Sequence, residues 1–471
     1  MTTPVQVVDA VAALAAAAPP GVTALTGRQL ADLRSATAAL VDTCGASGRT
    51  ELDRFQQIGN RQLAVDHAPL RELHAGRTVL VTGGTGCIGS SLVRELTQLG
   101  PRRIISVSRG RAQRWPRSAG VDYLHVDLRD RQAVFDLFST TRPEIVYHLA
   151  AQHDPGLAEK KVNETISTNV TGTINIVDAC RRSPGIRLAC ASTGKALRPF
   201  SRDVYAASKK MTEWILRQAA RQQDLLISAV RFTHVVDNSI ILERLRGWNR
   251  EGTPIRLHSV DSMFYLQSAR EAAQLLLSSV LEPSDDGLAL GAIRDLGWPA
   301  SLLELALGVI SAPPTDTPLY VCGFEAGYEK APYPGLYDPL CSGSRSPLFN
   351  AMEVPEVSDS TSCPAVDIYQ PPPSTADRVS RLIRRAGADA CASAPPEIVR
   401  AQIEECGWTM LRESLALMPT TVLARQCQLL HKRNVQTFSN DDSRIHSLVN
   451  NELDRRLTLP DVSDHGFRRG A

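Results

Sequence analysis

Val79-Leu80-Val81-Thr82-Gly83-Gly84-Thr85-Gly86-Cys87-Ile88-Gly89-Ser90-Ser91-Leu92-Val93 reads as a buried strand that runs through a glycine loop into a helix. Gly83, Gly86 and Gly89, three residues apart, answer three separate needs: a tight turn, close backbone approach to a pyrophosphate, and close packing of the helix on the strand. The helix start beyond them offers unpaired N–H groups and the positive end of the helix dipole to phosphate oxygens. An amphipathic helix follows (Leu92, Leu96, Leu99), and then a second strand, Arg103-Ile104-Ile105-Ser106-Val107. This βαβ context makes Gly83, Thr85, Gly86, Cys87, Ile88 and Gly89 the candidate residues for holding a dinucleotide.

Outward from that stretch, strands and helices alternate. Strands are expected at 121–127, 144–151, 186–193 and 225–231, and helices at 131–140, 163–182 and 204–221. The pattern predicts an α/β protein with a Rossmann doubly wound parallel sheet, whose ligands bind beyond the carboxyl ends of the strands. Past residue 240, helices at 240–250, 269–281 and 301–309 with shorter strands between them suggest a smaller substrate lobe. Residues 1–75 look like an appended helical region broken by Pro19-Pro20-Gly21, its apolar faces needing the main domain, the carboxyl-terminal helices or a second subunit as partner. The expected division is 1–75 helical, 76–311 cofactor domain with substrate-lobe elements, 312–376 a Pro, Gly and Ser-rich loop-dominated segment, and 377–471 helical. Within the last, helices are expected at 378–385, 396–406, 409–417, 420–432 and 443–456.

With 52 basic and 50 acidic residues in 471, no broad field favours nucleic acid or a membrane surface. The ten cysteines show no C-x-x-C pair and no metal-ligand spacing, so free thiols, no metal site and a cytoplasmic setting are expected. The apolar run from Val11 to Ala18 has no preceding Lys or Arg, and no apolar stretch approaches the ~18 residues of a membrane span. A small-molecule substrate and a homo-oligomer are the expected partners.

A second constellation carries chemistry. Thr193 ends a strand, and Tyr205-Ala206-Ala207-Ser208-Lys209 starts a helix, which places Tyr205 and Lys209 on one helix face. A lysine ammonium beside a phenol favours phenolate, and a threonine hydroxyl can hold a substrate oxygen, so the group can exchange a proton while hydride moves. Thr193, Tyr205 and Lys209 are the candidate catalytic residues, with Lys209 also expected against the cofactor. At the end of the second strand, Ser108-Arg109 offers a guanidinium and no carboxylate, which suits the 2′-phosphate of NADP over NAD.

Together these stretches resemble the extended short-chain dehydrogenases/reductases, and within them the polysaccharide-biosynthesis group of inverting sugar-nucleotide 4,6-dehydratases and related epimerases. The likeness is carried by the glycine loop and by His148-Leu149-Ala150-Ala151, Thr168-Asn169-Val170-Thr171-Gly172-Thr173, Ser192-Thr193-Gly194-Lys195-Ala196 and Tyr205-Ala206-Ala207-Ser208-Lys209. It continues in Ala229-Val230-Arg231-Phe232 and in Gly323-Phe324-Glu325-Ala326-Gly327-Tyr328-Glu329-Lys330, covering residues 77 to about 330. The resemblance implies that Asp127, Leu128 and Ala150 lie against the cofactor, Asp127-Leu128 at the adenine edge.

The departures from the family are as informative. Family dehydratases carry Thr-Asp-Lys or Thr-Asp-Glu, the aspartic acid protonating the leaving hydroxyl, where this chain has Thr193-Gly194-Lys195. Lys-His-Val-Pro is replaced by His153-Asp154-Pro155-Gly156, and the Asn after Arg-Phe-Gly by His234. The two arginines that the resemblance implies near a substrate diphosphate align with Met263 and Glu325. His153, Asp154, Lys195 and His234 are therefore substrate-side candidates. The expected activity is NADP-dependent hydride transfer at a secondary alcohol or ketone of a sugar-like or other biosynthetic small molecule, as a reductase or epimerase. The alternatives are a dehydratase in which Asp154, His153 or Lys195 replaces the missing acid, and a noncatalytic NADP-binding assembly module.

Overall fold

A computed structural model describes residues 4–110, 115–221, 225–282, 287–325, 346–350, 352–353, 357–372, 377–432 and 440–458. Six strands follow in chain order: β1 (Thr78–Thr82), β2 (Arg103–Ser108), β3 (Val121–His125), β4 (Ile145–His148), β5 (Arg187–Thr193) and β6 (Leu226–Phe232). The chain then leaves for β7 (His234–Val235), β8 (Ile255–Leu257), β9 (Met263–Phe264) and β10 (Leu266–Gln267), and returns as β11 (Ala289–Ile293). β12 (Ala300–Ser301) and β13 (Leu319–Val321) lie outside the main sheet, and β14 (Val357–Asp359) and β15 (Val366–Tyr369) finish it. Among the described residues the main sheet runs β3-β2-β1-β4-β5-β6-β11-β15-β14, parallel from β3 to β11 and antiparallel at the last two pairings. The reversal between β1 and β4 opens a crevice at their carboxyl ends, where the glycine loop emerges.

β1 is buried at all five positions, with Val79, Leu80 and Val81 apolar on both faces between Thr78 and Thr82, because helices cover both faces. Before it lie α1 (Pro4–Ala17), α2 (Gly27–Ile58) and α3 (His67–His74). After it come α4 (Cys87–Leu96), α5 (Arg131–Thr141), α6 (Pro155–Lys160), α7 (Val162–Ile166), α8 (Gly172–Cys180) and α9 (Val204–Ala219). The single helix expected over 163–182 is interrupted: a π turn at Ser167–Thr171 joins α7 to α8, an insertion that re-aims side chains and recurs at functional sites.

The part of the chain expected to form a substrate lobe has its own core. α10 (Ile240–Glu251), α11 (Ala269–Ser279) and α12 (Leu302–Ser311) follow β6; α10 and α12 join β8–β10 and β13 in a cluster that includes Leu14, Leu33, Leu40 and Phe55 from α1 and α2. The amino-terminal helices thus find their partner in the lobe. The contact between α2 and α12 is made by glycines: a Cβ on Gly308 would stand 2.3 Å from Gly48 O, and one on Gly48 would stand 2.7 Å from Gly308 N. Only hydrogen at both positions allows the backbones to meet this closely. Tyr320 Oη ties the lobe to the α1–α2 connection, accepting from Val22 N at 2.8 Å and donating to Pro19 O at 2.9 Å.

The described parts of 312–376, expected to be loop-dominated, contribute β13, β14 and β15, of which β15 joins the main sheet through β11 and β14 pairs with β15. At the carboxyl end α13 (Asp377–Cys391), α14 (Pro396–Leu417), α15 (Thr420–Lys432) and α16 (Asn440–Thr458) follow. α14 is one helix where two were expected; Gly407, in its interior, leaves space for the Phe200 ring, which an added Cβ would approach to 3.0 Å. α13 and α14 pack on α6, α7 and α9 through Val379, Ile383, Val399, Ile403 and Met410 against Ile166, Val204 and Met211. Among the described residues no helix is long and apolar enough to cross a membrane, no group of His, Cys, Asp or Glu could hold a metal ion, and every cysteine is a free thiol.

Candidate functional site

The glycine loop turns at Gly83, whose positive φ of 75° is costly for other residues and whose N–H donates to Val107 O at 2.7 Å. Gly83 and Gly89 are required by the protein's own packing, since a Cβ would fall 2.8 Å from Ala150 N and 2.1 Å from Gly83 O respectively. Gly86 differs: it is exposed, its nearest neighbour to an added Cβ is Gly83 O at 3.3 Å, and it caps α4 without any side-chain hydrogen bond. Its missing side chain leaves open space beside the start of α4, which carries no side-chain cap. Thr85, Cys87 and Ile88 flank it, partly exposed.

Behind the loop a directed chain of hydrogen bonds locks β1 to β4 and α8. Thr173 Oγ1 donates to Asn169 O at 2.6 Å, so it accepts from His148 Nε2 at 3.0 Å; Nδ1 of the same ring then accepts from Thr82 Oγ1 at 2.7 Å. Thr82 Oγ1 in turn accepts the Ala150 N–H at 3.2 Å. Burial, with the Lys209 charge, lowers the His148 pKa to about 3 and keeps the ring neutral, as this chain of donors requires. Asn169, projected by the π turn, accepts from Gln152 N at 2.7 Å and donates to Gln152 O at 3.0 Å and Ser208 Oγ at 2.9 Å. It therefore joins the end of β4 to the α9 turn between Tyr205 and Lys209. Asn169 lies in a stretch quoted for its resemblance, yet its linking role depends on contacts that no local pattern shows.

The structure brings Thr193 and Tyr205 together: the Thr193 side chain lies close enough to the Tyr205 hydroxyl to oppose the rise in its pKa. Asp203 caps α9, accepting Ala206 N at 2.9 Å, and pairs with Lys195 Nζ at 3.2 Å in a largely buried contact. Lys209 Nζ donates to Ala191 O at 2.6 Å. The expectation that the ammonium lowers the Tyr205 pKa is corrected here. Burial raises it to about 12 against the smaller opposing effect of the Thr193 side chain, while burial lowers Lys209 to about 8. Helical spacing aligns the two residues, but the ammonium is drawn to the end of β5 instead.

Beneath them lies a buried charge cluster not anticipated from sequence. Arg231, 1% exposed, donates to Glu213 at 2.9 Å from both Nε and Nη2, to Glu353 at 2.7 Å from Nη1 and 2.9 Å from Nη2, and to Leu348 O at 2.9 Å. Ser192 Oγ donates to Glu213 Oε1 at 2.6 Å, linking the cluster to the strand that carries Thr193. Removing one partner would leave an uncompensated buried charge. The Ala229-Val230-Arg231-Phe232 stretch marks Arg231, but nothing near Glu353 in sequence announces it.

Ser108 ends β2 and Arg109 follows, its guanidinium 3.7 Å from Glu164 in α7. Asp127 is taken up by Arg129, which donates to it from Nε at 3.0 Å and Nη2 at 2.5 Å; these bonds foremost, and the Arg109 charge least, hold its carboxyl below the usual range. Leu128 is buried against Gly172, and Ala150 lies beside Gly83. Asp154 caps α6, accepting Leu157 N at 3.0 Å, and His153 is exposed. His234 sits in the lobe between Phe55 and Phe264, with Nε2 2.8 Å from Ser239 Oγ, and burial lowers its pKa to about 4. Met263 pairs with Ser301 in β9–β12, and Glu325 lies 3.4 Å from Arg256. Ala326 to Lys330 of the quoted motif lie outside the described residues.

Residues 79–238 match the NAD dependent epimerase/dehydratase family. The probable polysaccharide biosynthesis protein EpsC of Bacillus subtilis is 26% identical over 267 residues, 54% of this chain and 43% of that protein. The capsular polysaccharide biosynthesis protein CapD of Staphylococcus aureus is 24% identical over 286 residues, 56% of this chain and 46% of that one. A UDP-N-acetylglucosamine 4,6-dehydratase (inverting) of Campylobacter jejuni is 28% identical over 170 residues, 34% of this chain and 50% of that enzyme. The chain thus spans less than half the length of the first two relatives. The X-ray structure of Pen from Bacillus thuringiensis shares the fold, with a TM-score of 0.52 at 20% identity over 64% of this chain and 88% of that one. Across residues 79–238 the chain is accordingly similar to the NAD dependent epimerase/dehydratase family.

Proposed function

We propose that this protein is an NADP-dependent enzyme that interconverts a secondary alcohol and a ketone on a sugar-like substrate, with nucleoside-diphosphate sugars the first class to test. The observation that carries this reading is the Thr193–Tyr205 hydroxyl pair, one turn of α9 from the buried Lys209, beyond the carboxyl ends of the strands that also present the glycine loop.

The residues fit a dinucleotide, because exposed Gly86 and the uncapped start of α4 leave both the space and the donors for a pyrophosphate. When bound, such a cofactor takes up a hydride from carbon and returns it. The chain's own part is to hold the substrate and move a proton. With its pKa near 12, Tyr205 Oη is protonated at neutral pH and able to donate to a carbonyl oxygen. In the reverse sense it accepts the alcohol proton, while Lys209, charged below about pH 8, stays bound to Ala191 O one turn along α9. Thr193 Oγ1 orients the same oxygen. Ser108 and Arg109 support a 2′-phosphate, although Glu164 shares the arginine's charge.

The names of the relatives, polysaccharide biosynthesis proteins and a UDP-N-acetylglucosamine dehydratase, support a sugar nucleotide. Gly194 argues for epimerisation or reduction over dehydration, since it has no acid to offer the leaving hydroxyl. One observation favours dehydration as a second reading: Lys195 and Asp203, 3.2 Å apart, supply an ionisable pair within the loop that joins Thr193 to Tyr205. Incubating the protein with UDP-glucose or UDP-N-acetylglucosamine and either cofactor, followed by mass spectrometry and NMR of the sugar, separates these. A 4-epimer or a reduced sugar supports the first reading and a 4-keto-6-deoxy product the second. Retention of dinucleotide with no turnover of either sugar counts against both.

A further inference from the structure

We propose that the carboxyl-terminal helices belong to the reaction's positioning apparatus: Trp408, together with Glu404 and Asp441, holds the 194–203 loop so that Tyr205 meets Thr193. The proposal rests on the reading of Tyr205 as the proton-transfer residue.

The segment 194–203 joins the two hydroxyls, and four contacts from outside it fix its course. Lys210 Nζ donates to Ala196 O at 3.0 Å, and Asn350 Nδ2 donates to Leu197 O at 2.6 Å. The Phe200 ring stacks on Trp408 with centroids 3.8 Å apart and planes at 15°, both rings buried. Arg202 binds two carboxylates from two different helices, Glu404 on α14 at 2.5 Å and Asp441 on α16 at 2.8 and 3.0 Å. The next residue, Asp203, caps α9 and pairs with Lys195, so the position of Arg202 is passed directly to the helix turn that carries Tyr205.

α14 meets the same region twice. Gly407 leaves room for the Phe200 ring, and Ile403 and Met410 belong to the cluster that backs α9 through Val204, Ala207 and Met211. Arg444 from α16 lies 4.0 Å over the other partner of the stack, Trp408. A helical appendage that only shielded apolar surface would need no contact with the segment between the two hydroxyls. The two anchors also differ in kind. The stacked rings are buried, whereas the Arg202 pairs are about half exposed on the arginine side, so salt weakens them.

Hydrogen exchange with mass spectrometry on the full chain tests this, comparing native protein with Arg202→Ala, Trp408→Phe and Trp408→Ala. Arg202→Ala should raise amide exchange across 194–206 by about tenfold or more while β1–β6 keep their protection, and Trp408→Phe should preserve the native pattern. Raising salt should mimic Arg202→Ala in the native protein and add little to the variant. With UDP-N-acetylglucosamine as probe, Arg202→Ala should lower kcat more than it raises KM. Unchanged exchange over 194–206 in Arg202→Ala would overturn the proposal, and this comparison stands even where Trp408→Ala fails to fold. Exchange is read without turnover, so a native protein inactive on the probe bears on the functional reading, while the 194–206 amides decide the positioning role.

Discussion

Between β1 and β6 the cofactor half is assembled by neighbours: each strand pairs within one sheet, and the glycine loop, His148 and Tyr205 arrive at the strands' carboxyl ends from residues 78–232. The proposed substrate lobe is assembled by strangers, its core drawing on residues as distant as Ala10 and Cys322, with α2 wedged against α12 through Gly48 and Gly308. The first plan lets local pattern fix chemistry. The second lets a lobe change its ligand while the sheet beneath it stays constant, because its packing depends on segments outside the strand-helix repeat. Of the family departures, Met263, His234 and Glu325 lie in or beside the lobe, while Gly194 and His153 to Gly156 lie at the carboxyl ends of β5 and β4 and the glycine loop itself is intact.

The largest effect that would break this contrast belongs to the cofactor half. Tyr205→Phe should leave dinucleotide affinity nearly unchanged and cut turnover of the true substrate by roughly 10²–10⁴, as for loss of a general acid/base. Steady-state kinetics beside a binding titration checks it, and equal turnover would remove Tyr205 from the chemistry.

In the lobe, the neutral His234 makes stability depend on acid. Its folded pKa of about 4 lies below its ordinary 6.5, so the unfolded chain takes up a proton that the folded ring refuses. Its contribution is complete above pH 6.5 and is lost as pH falls towards 4, a change on the order of 3 kcal/mol at 1.36 kcal/mol per unit. Denaturant unfolding at a series of pH values should show a shallower acid slope in His234→Gln than in the native protein; parallel slopes would place the lobe's acid sensitivity elsewhere.

The helix crossing offers the next test. Gly308→Ala puts a methyl group 2.3 Å from Gly48 O and should destabilise the protein by about 1–3 kcal/mol. An unchanged melting temperature would mean that α2 is a loosely attached appendage.

The smallest expected effect concerns cofactor choice. Arg109→Ala should narrow the preference for NADP over NAD by about tenfold, the low end for a charge-assisted contact. Glu164 already competes for that guanidinium, so Glu164→Gln should widen the preference in parallel titrations. Identical native affinity for both cofactors would dismiss Arg109 as a selector.

How far the sequence could be read follows the same division. The inner strands were legible because parallel strands covered on both faces carry apolar runs, the edge strand β3 by its place in the strand-helix alternation, and the Tyr205–Lys209 spacing because a helix repeats locally. The π turn at Ser167–Thr171 was not, since it exists to let Asn169 reach Gln152 and Ser208. The raised Tyr205 pKa was not, because it comes first from burial, which local pattern does not show, and the Lys209 ammonium is held by Ala191 O on another element. The partner of α2 and the place of β15 in the main sheet depend on contacts across hundreds of residues or on a strand of four, too short to show a period.

Gly86 tests the account most directly, because there the demands of folding and of binding separate. Gly86→Ala should fold with a melting temperature within about 2 °C of native, since the added methyl meets only Gly83 O at 3.3 Å. The same methyl occupies the space assigned to the pyrophosphate, so NADPH titrated against the variant should bind at least about tenfold more weakly. Native affinity for NADPH in a fully folded Gly86→Ala protein would contradict the assignment of this loop as the cofactor site.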